Sequence, residues 1–357
     1  MFTAKEYTSQ NQNKLAIHNR KYELDYLRFI AILMIFTFHY TCTYQLFDSP
    51  FYKHANGGWG CPGTSVFFIL SGYLLRSKYK EINNLKNFYK KRFLSIFPTF
   101  YIAFIVCYLL FSIKSRNFLY GGNPLKLIFT ILGIDNYMGF YGIYTYALVG
   151  EWFTAIIVIA YLLYPLLNYF FNKNKYITIS CIAILYLLNS IIGIDPVIAD
   201  ASLFSGIFLF TVGMFLNDIQ IKSELTKIIL LVLIVFSLLI TTIEIPSIIP
   251  KVIINNMLGI NLFIILRYLF TFISRKPKFF KINNAAKFFS TISYCIYISH
   301  HFILNNLAPL FGPLLNTRLS HFINYLFQLI ITVITSIALN FITQKTLQLF
   351  KNNRDVG

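Results

Sequence analysis

The chain alternates long apolar runs with short polar connections. Ten runs stand out, near 28–47, 60–76, 96–113, 146–171, 176–193, 201–217, 228–245, 252–273, 288–308 and 321–346. A helix of about 20 apolar residues crosses the hydrocarbon core of a bilayer, so each run predicts a transmembrane span. The run 125–134 is too short for that and is expected to lie at the surface or to re-enter. No internal repeat interrupts the series. The expected fold is an all-α, polytopic integral membrane protein with about ten spans. Its organisation is a polar tail at 1–24, one membrane domain at 25–348 and a second tail at 349–357.

Composition agrees with this pattern. Hydrophobic residues make up 57% of the chain and charged residues only 12%, against about 25% charged in soluble proteins. The mean hydropathy is +0.62. Residues 1–24 are mixed in charge and show no signal-peptide pattern. The five cysteines form no C-x-x-C pair and read as small buried hydrophobes. A net charge of +18 would suit nucleic acid, but the positive residues sit in short loops between apolar spans. Their distribution sets an orientation instead. With the N-terminus inside, 23 of the 31 Lys and Arg fall on cytoplasmic segments and six on external ones. Arg28 and Arg267 account for the rest. Both termini are therefore expected in the cytoplasm.

An ionisable residue inside hydrocarbon costs several kcal/mol unless it is paired or faces a wet cavity. The first span, "LRFIAILMIFTFHY", carries two, Arg28 and His39. Eleven residues advance about 16 Å along a helix and return to within about 20° of the starting direction. Arg28 and His39 therefore share one face, the arginine at the cytoplasmic boundary and the histidine near the midplane. Glu151 falls near the outer end of the fourth span, where an acid beside Trp152 is either interfacial or available to orient a histidine. His300 and His301 lie in the outer half of the ninth span, and at least one must face the protein interior. Arg267 reads as a snorkelling boundary residue. No spacing matches a metal-binding motif, so no metal is expected. A neutral histidine is the usual general base at physiological pH, and an arginine at the inner mouth suits phosphate. Together they fit a group-transfer enzyme that uses a phosphorylated donor.

Five blocks, in order over residues 23–300, resemble the membrane acyltransferase-3 family of integral O-acyltransferases. They are Arg28 and His39 in "ELDYLRFIAILMIFTFHY", then "GGWGCPGTSVFFILSGYLL", "YKKRFLSIFPTFY", "ALVGEWFTAIIVIAYLLYP" and "ISYCIYISH". Two departures are visible. The family's Arg-x-x-Arg keeps Arg92 but has Ser95 at the second position, and its Trp-Ser is Tyr146-Ala147. The resemblance implies transfer of an acetyl or similar acyl group from acetyl-CoA or another acyl-CoA. The acceptor it implies is a hydroxyl of a surface polysaccharide, lipopolysaccharide O-antigen or capsule, at the bacterial inner membrane. The acyl-CoA is a substrate, and no bound cofactor is implied. The resemblance makes His39 the catalytic base and Glu151 a supporting acid. It places Arg28 and Arg92 at the donor phosphates and lines the pocket with Ser71, Tyr294, Tyr297 and His300. The competing reading is an exporter or flippase for a polysaccharide or lipid-linked sugar, which would also keep polar residues in the membrane.

The orientation has a direct test. Single cysteines introduced at 48–58 or 114–124 are expected to react with an impermeant thiol reagent in intact cells, and those at 78–90 are not. Labelling at 78–90 would invert the topology.

Overall fold

The computed structural model describes residues 20–193, 195, 201–219 and 223–355, and it is about 81% helical. Most of the N-terminal tail lies outside the described residues. Ten long helices coincide with the ten apolar runs. They are α1 (Tyr22–Thr43), α2 (Gly60–Lys78), α3 (Leu85–Ser115), α6 (Glu151–Lys173), α7 (Lys175–Ile192), α8 (Leu203–Asp218), α9 (Ser223–Thr242), α10 (Lys251–Ser274), α11 (Phe280–Phe311) and α12 (Arg318–Asp355). Two short helices, α4 (Leu127–Ile131) and α5 (Asp135–Met138), occupy the loop before α6. A minimal hairpin, β1 (Lys53–His54) against β2 (Gly57–Gly58), closes the loop after α1.

Among the described residues, seven helices are long and apolar enough to cross a membrane: α1, α3, α6, α7, α9, α10 and α12. The other three, α2, α8 and α11, are shorter or carry more polar and small residues. Their composition follows from their position. Much of the surface of α2 and α8 is buried against other helices, so it meets protein partners where a lipid-facing helix must present apolar side chains.

Two glycines set the closest approach in the bundle. A Cβ on Gly72 of α2 would stand 1.9 Å from the carbonyl oxygen of Phe210, and one on Gly213 of α8 would stand 1.9 Å from that of Ile69. The two backbones touch, as small residues allow where helices pack inside membranes. A buried polar knot fastens one end of the same junction. Arg76 Nε and Nη2 donate to Asp218 at 2.9 and 2.5 Å, and Nη1 donates to Asn168 and Asn172 at 2.7 and 2.5 Å. Arg76 counted as a loop charge in the orientation reading. The fold makes it a structural clasp between α2, α6 and α8, because Asp218 and both asparagines arrive from helices distant in sequence.

Helices α1 and α11 run parallel. Arg28 Nη1 donates to Ser290 Oγ at 3.2 Å, and eleven residues further along each helix His39 meets His301. Phe29 packs on Phe289 and Tyr26 donates to Asn283 along the same seam.

The loop 117–150 ends on Gly150, whose φ of +83° is open only to glycine without strain. This turn delays α6 to Glu151, five residues beyond the expected start of the fourth span. The loop is folded around Asp135. Thr130 Oγ1 and the Asn136 N–H donate to its carboxylate at 3.1 and 3.0 Å, Thr145 Oγ1 donates to its carbonyl, and Asn136 Nδ2 donates to the Val149 carbonyl. Burial raises the carboxyl of Asp135 to about 6, against the opposing effect of these hydrogen bonds.

Two outcomes are expected. Gly72→Ala and Gly213→Ala should each lower the thermal midpoint of detergent-purified protein, since over-packing costs roughly 1–3 kcal/mol. Gly139→Ala, with nothing within 4 Å of the added methyl, should not. A raised carboxyl pKa favours the folded loop at low pH, and that contribution is lost as pH rises through about 6. Backbone amides of 130–149 should therefore exchange more slowly at pH 5 than at pH 7.5, after correction for the intrinsic rate. In Asp135→Asn this difference should vanish, a change worth roughly 3 kcal/mol at most.

Candidate active site

The shared face of α1 meets one face of α11. Along α11 the residues Ser290, Tyr294, Tyr297 and His301 fall at i, i+4, i+7 and i+11, which is a single helical stripe. Its two ends meet Arg28 and His39. The parallel packing of two helices with the same eleven-residue spacing thus turns two sequence patterns into one polar seam.

At the His39 end of the seam three histidines gather. His301 Nε2 and His39 Nδ1 are 2.7 Å apart, so the two rings share a proton. Their centroids are 4.1 Å apart, and the His300 ring lies 5.1 Å from His39 and 5.0 Å from His301. His300 is fully buried, and its Nδ1–H donates to the Tyr297 carbonyl at 2.7 Å. That bond fixes the tautomer of the neutral ring, because only a protonated nitrogen can donate to a carbonyl. One nitrogen from each of the three rings lies within 4.8 Å of the others.

The start of α6 closes this end. Tyr297 Oη donates to the Gly150 carbonyl at 3.4 Å, and its ring packs on Phe153. The backbone of Glu151 opens α6 at this point. The side chain of Glu151 lies outside the described residues. Thr154, one turn on, brings its buried hydroxyl beside that of Tyr294.

At the Arg28 end a second arginine stands between two aromatic rings. Arg92 of α3 stands 5.5 Å from the centroids of both Tyr79 and Tyr161, with its Nε buried and without a hydrogen-bond partner. Arg28 also lies within electrostatic reach of Tyr161. Arg28, His39 and Tyr294 are each half-buried along the seam. Among the described residues no carboxylate lies within ion-pair distance of Arg28 or Arg92. Asp25, one turn before Arg28, is held by Arg20 at 2.7 and 2.9 Å. Arg267, read as a snorkelling residue, stacks over Tyr73 at 4.7 Å, with Lys21 at 5.7 Å from the same ring.

The structure thus brings Arg28, His39, Tyr294, Tyr297 and His300 to one seam and sets Arg92 beside its Arg28 end. Ser71 stands on a different helix. Helix α2 runs antiparallel to α1, meeting Ile35 at Gly63 and Lys21 at Tyr73. Ser71 therefore falls at Arg28's end of the seam and away from the histidines. Sequence reasoning gave no role to Ser290 or Tyr161, and placed His301 beside the site without seeing its bond to His39. For Ser290 and His301 a signal existed, because their separation repeats that of Arg28 and His39. For Tyr161 none did.

No curated protein and no solved structure matches the chain. Residues 21–343 match a family model described as an acyltransferase domain. That match covers nearly the whole membrane domain and includes every residue of the seam, so the chain belongs to the acyltransferase-3 family.

Proposed function

We propose that this protein is a multi-pass membrane O-acyltransferase that carries an acetyl or similar acyl group from cytoplasmic acyl-CoA to a hydroxyl of a surface glycan. Lipopolysaccharide O-antigen or capsule is the first acceptor to test, and the bacterial inner membrane is the site of action. In this reading all ten long helices span the bilayer and both termini are cytoplasmic. The parallel course of α1 and α11 supports it, because odd-numbered members of an alternating series run the same way.

The observation that carries the proposal is the pair of arginines, without carboxylate partners among the described residues, at one end of a polar seam whose other end is a histidine pair. A buried guanidinium with no counter-charge is costly, and the phosphates of acyl-CoA would supply the missing anion. Arg28 offers planar two-pronged hydrogen bonding. Arg92 offers charge, backed by the faces of Tyr79 and Tyr161. The acyl-bearing arm of the donor then extends along the seam towards His39.

The chemistry follows from the ring geometry. His301 holds the Nδ1 edge of His39 and so orients the ring. His39 Nε2 takes the proton of the acceptor hydroxyl as its oxygen attacks the thioester carbonyl. The carbon–sulfur bond breaks, the thiolate leaves and the proton returns to sulfur as the free CoA thiol. Glu151, on the first turn of α6, is the acid assigned to favour the imidazolium while it lasts. Tyr294 and Tyr297 line the passage between donor and base.

Purified protein is expected to release CoA thiol from acyl-CoA in the presence of acceptor glycan, and the glycan should gain one acyl mass per modified unit. An exporter or flippase would leave acyl-CoA intact. Arg28→Ala should weaken acyl-CoA binding by about tenfold or more, the loss of one charge-assisted hydrogen bond of roughly 1.5–3 kcal/mol, and Arg28→Lys should retain part of it. His39→Ala, about 16 Å further out, should bind acyl-CoA like the parent yet acylate no glycan. Normal acylation by His39→Ala at matched protein levels would remove the base from this mechanism.

A further inference from the structure

The three histidines form more than a base and its neighbour. No spacing in the sequence reads as a metal motif, because two of the rings are adjacent on α11 and the third comes from α1. The fold brings one nitrogen of each to within 4.8 Å of the others. We propose that His39, His300 and His301 form a binding site for a divalent transition-metal ion of the zinc class, and that occupancy of this site blocks the enzyme.

Three features support a ligand set. First, the donors are of one kind. Imidazole suits zinc, copper and nickel and is a poor match for magnesium or calcium. Second, the rings are held from behind. The His300 Nδ1–H is bound to the Tyr297 carbonyl at 2.7 Å and also approaches that of Ile296 at 3.2 Å. This backbone anchor is the usual outer partner of a ligating histidine, and it turns Nε2 towards the cluster. Third, the distances bracket the requirement. Zinc–nitrogen bonds of about 2.0–2.1 Å at tetrahedral angles set the nitrogens about 3.3 Å apart. The His39–His301 pair, now at 2.7 Å, opens by about half an ångström, and the widest pair closes by at most about one and a half. Ring rotations on two rigid helices cover that range.

The ion takes the place of the proton that His39 and His301 share. Three imidazoles leave a fourth tetrahedral position for water. Metal-bound, His39 can no longer turn or accept the acceptor's proton. Binding rests on the ring geometry alone, whereas the block rests on the acyl-transfer reading above.

The test uses the detergent-purified full chain and Co2+ as a spectroscopic probe, followed by displacement with Zn2+. The parent is expected to bind one equivalent of Co2+ with the intense visible bands of a tetrahedral nitrogen site and no near-ultraviolet thiolate-to-cobalt band. A pale octahedral spectrum, or a thiolate band, would overturn the site without recourse to any variant. His300→Ala and His301→Ala should each weaken Zn2+ binding by about tenfold or more in competition with a chromophoric chelator. His54→Ala, in the external hairpin, should not. Binding that survives in both of the first two variants would also overturn the site. Zn2+ should abolish CoA release, with recovery on chelation, and turnover by zinc-loaded protein would overturn the block. If the parent releases no CoA even without zinc, the acyl-transfer reading fails, and the cobalt spectrum still decides the metal site.

Discussion

Charge placed in a medium of low dielectric must be answered by other charge, by oriented dipoles or by water. Buried Arg76 is answered by Asp218 with two asparagines, and Arg20, at the surface, by Asp25. Among the described residues Arg28, Arg92 and Arg267 stand without such a carboxylate. Arg28 has a serine hydroxyl, Arg92 two tyrosine faces and Arg267 one. Holding cations inside a bundle is costly unless something else completes them. That constraint makes the Arg28 end of the seam a place where an anion would be favoured.

The seam depends on two helices keeping one register over three turns. An error of one residue would rotate every polar group by about 100° and send the histidines towards lipid. The register is held by contacts spaced along the α1–α11 interface, from Tyr26–Asn283 to His39–His301. The frame behind it is held by the α2–α8 glycine crossing and the Arg76 knot. Reacting groups placed on helices rather than loops are held with greater precision. The one element of the site that comes from a turn is the start of α6, and there the chain uses a glycine in the left-handed region and a loop tied internally through Asp135 and Asn136.

The histidine cluster illustrates how one arrangement would suit two chemistries. Rings close enough to share a proton, backed by a backbone carbonyl, orient a base. The same closeness presents several lone pairs to a single point. A base of this kind and a soft-metal ligand set differ only in what occupies the space between the nitrogens.

The apolar runs, the basic loops and the Arg28–His39 spacing are local properties. Helix periodicity converts them into spans, a preferred orientation and a shared face without reference to the rest of the chain. The composition of α2, α8 and α11 was less legible, since a helix that faces protein has no need of a uniformly apolar surface. Contacts between distant segments were not legible at all. Arg76 reads as a loop charge until Asp218, Asn168 and Asn172 are brought to it across 142, 92 and 96 residues. His301 reads as the lesser of two adjacent histidines until α11 lies parallel to α1 and places it, rather than His300, in hydrogen-bond contact with His39. Periodicity fixes which residues share a helix face. Which faces then meet is decided by tertiary packing, through glycine contacts and buried polar pairs that only the assembled bundle can form.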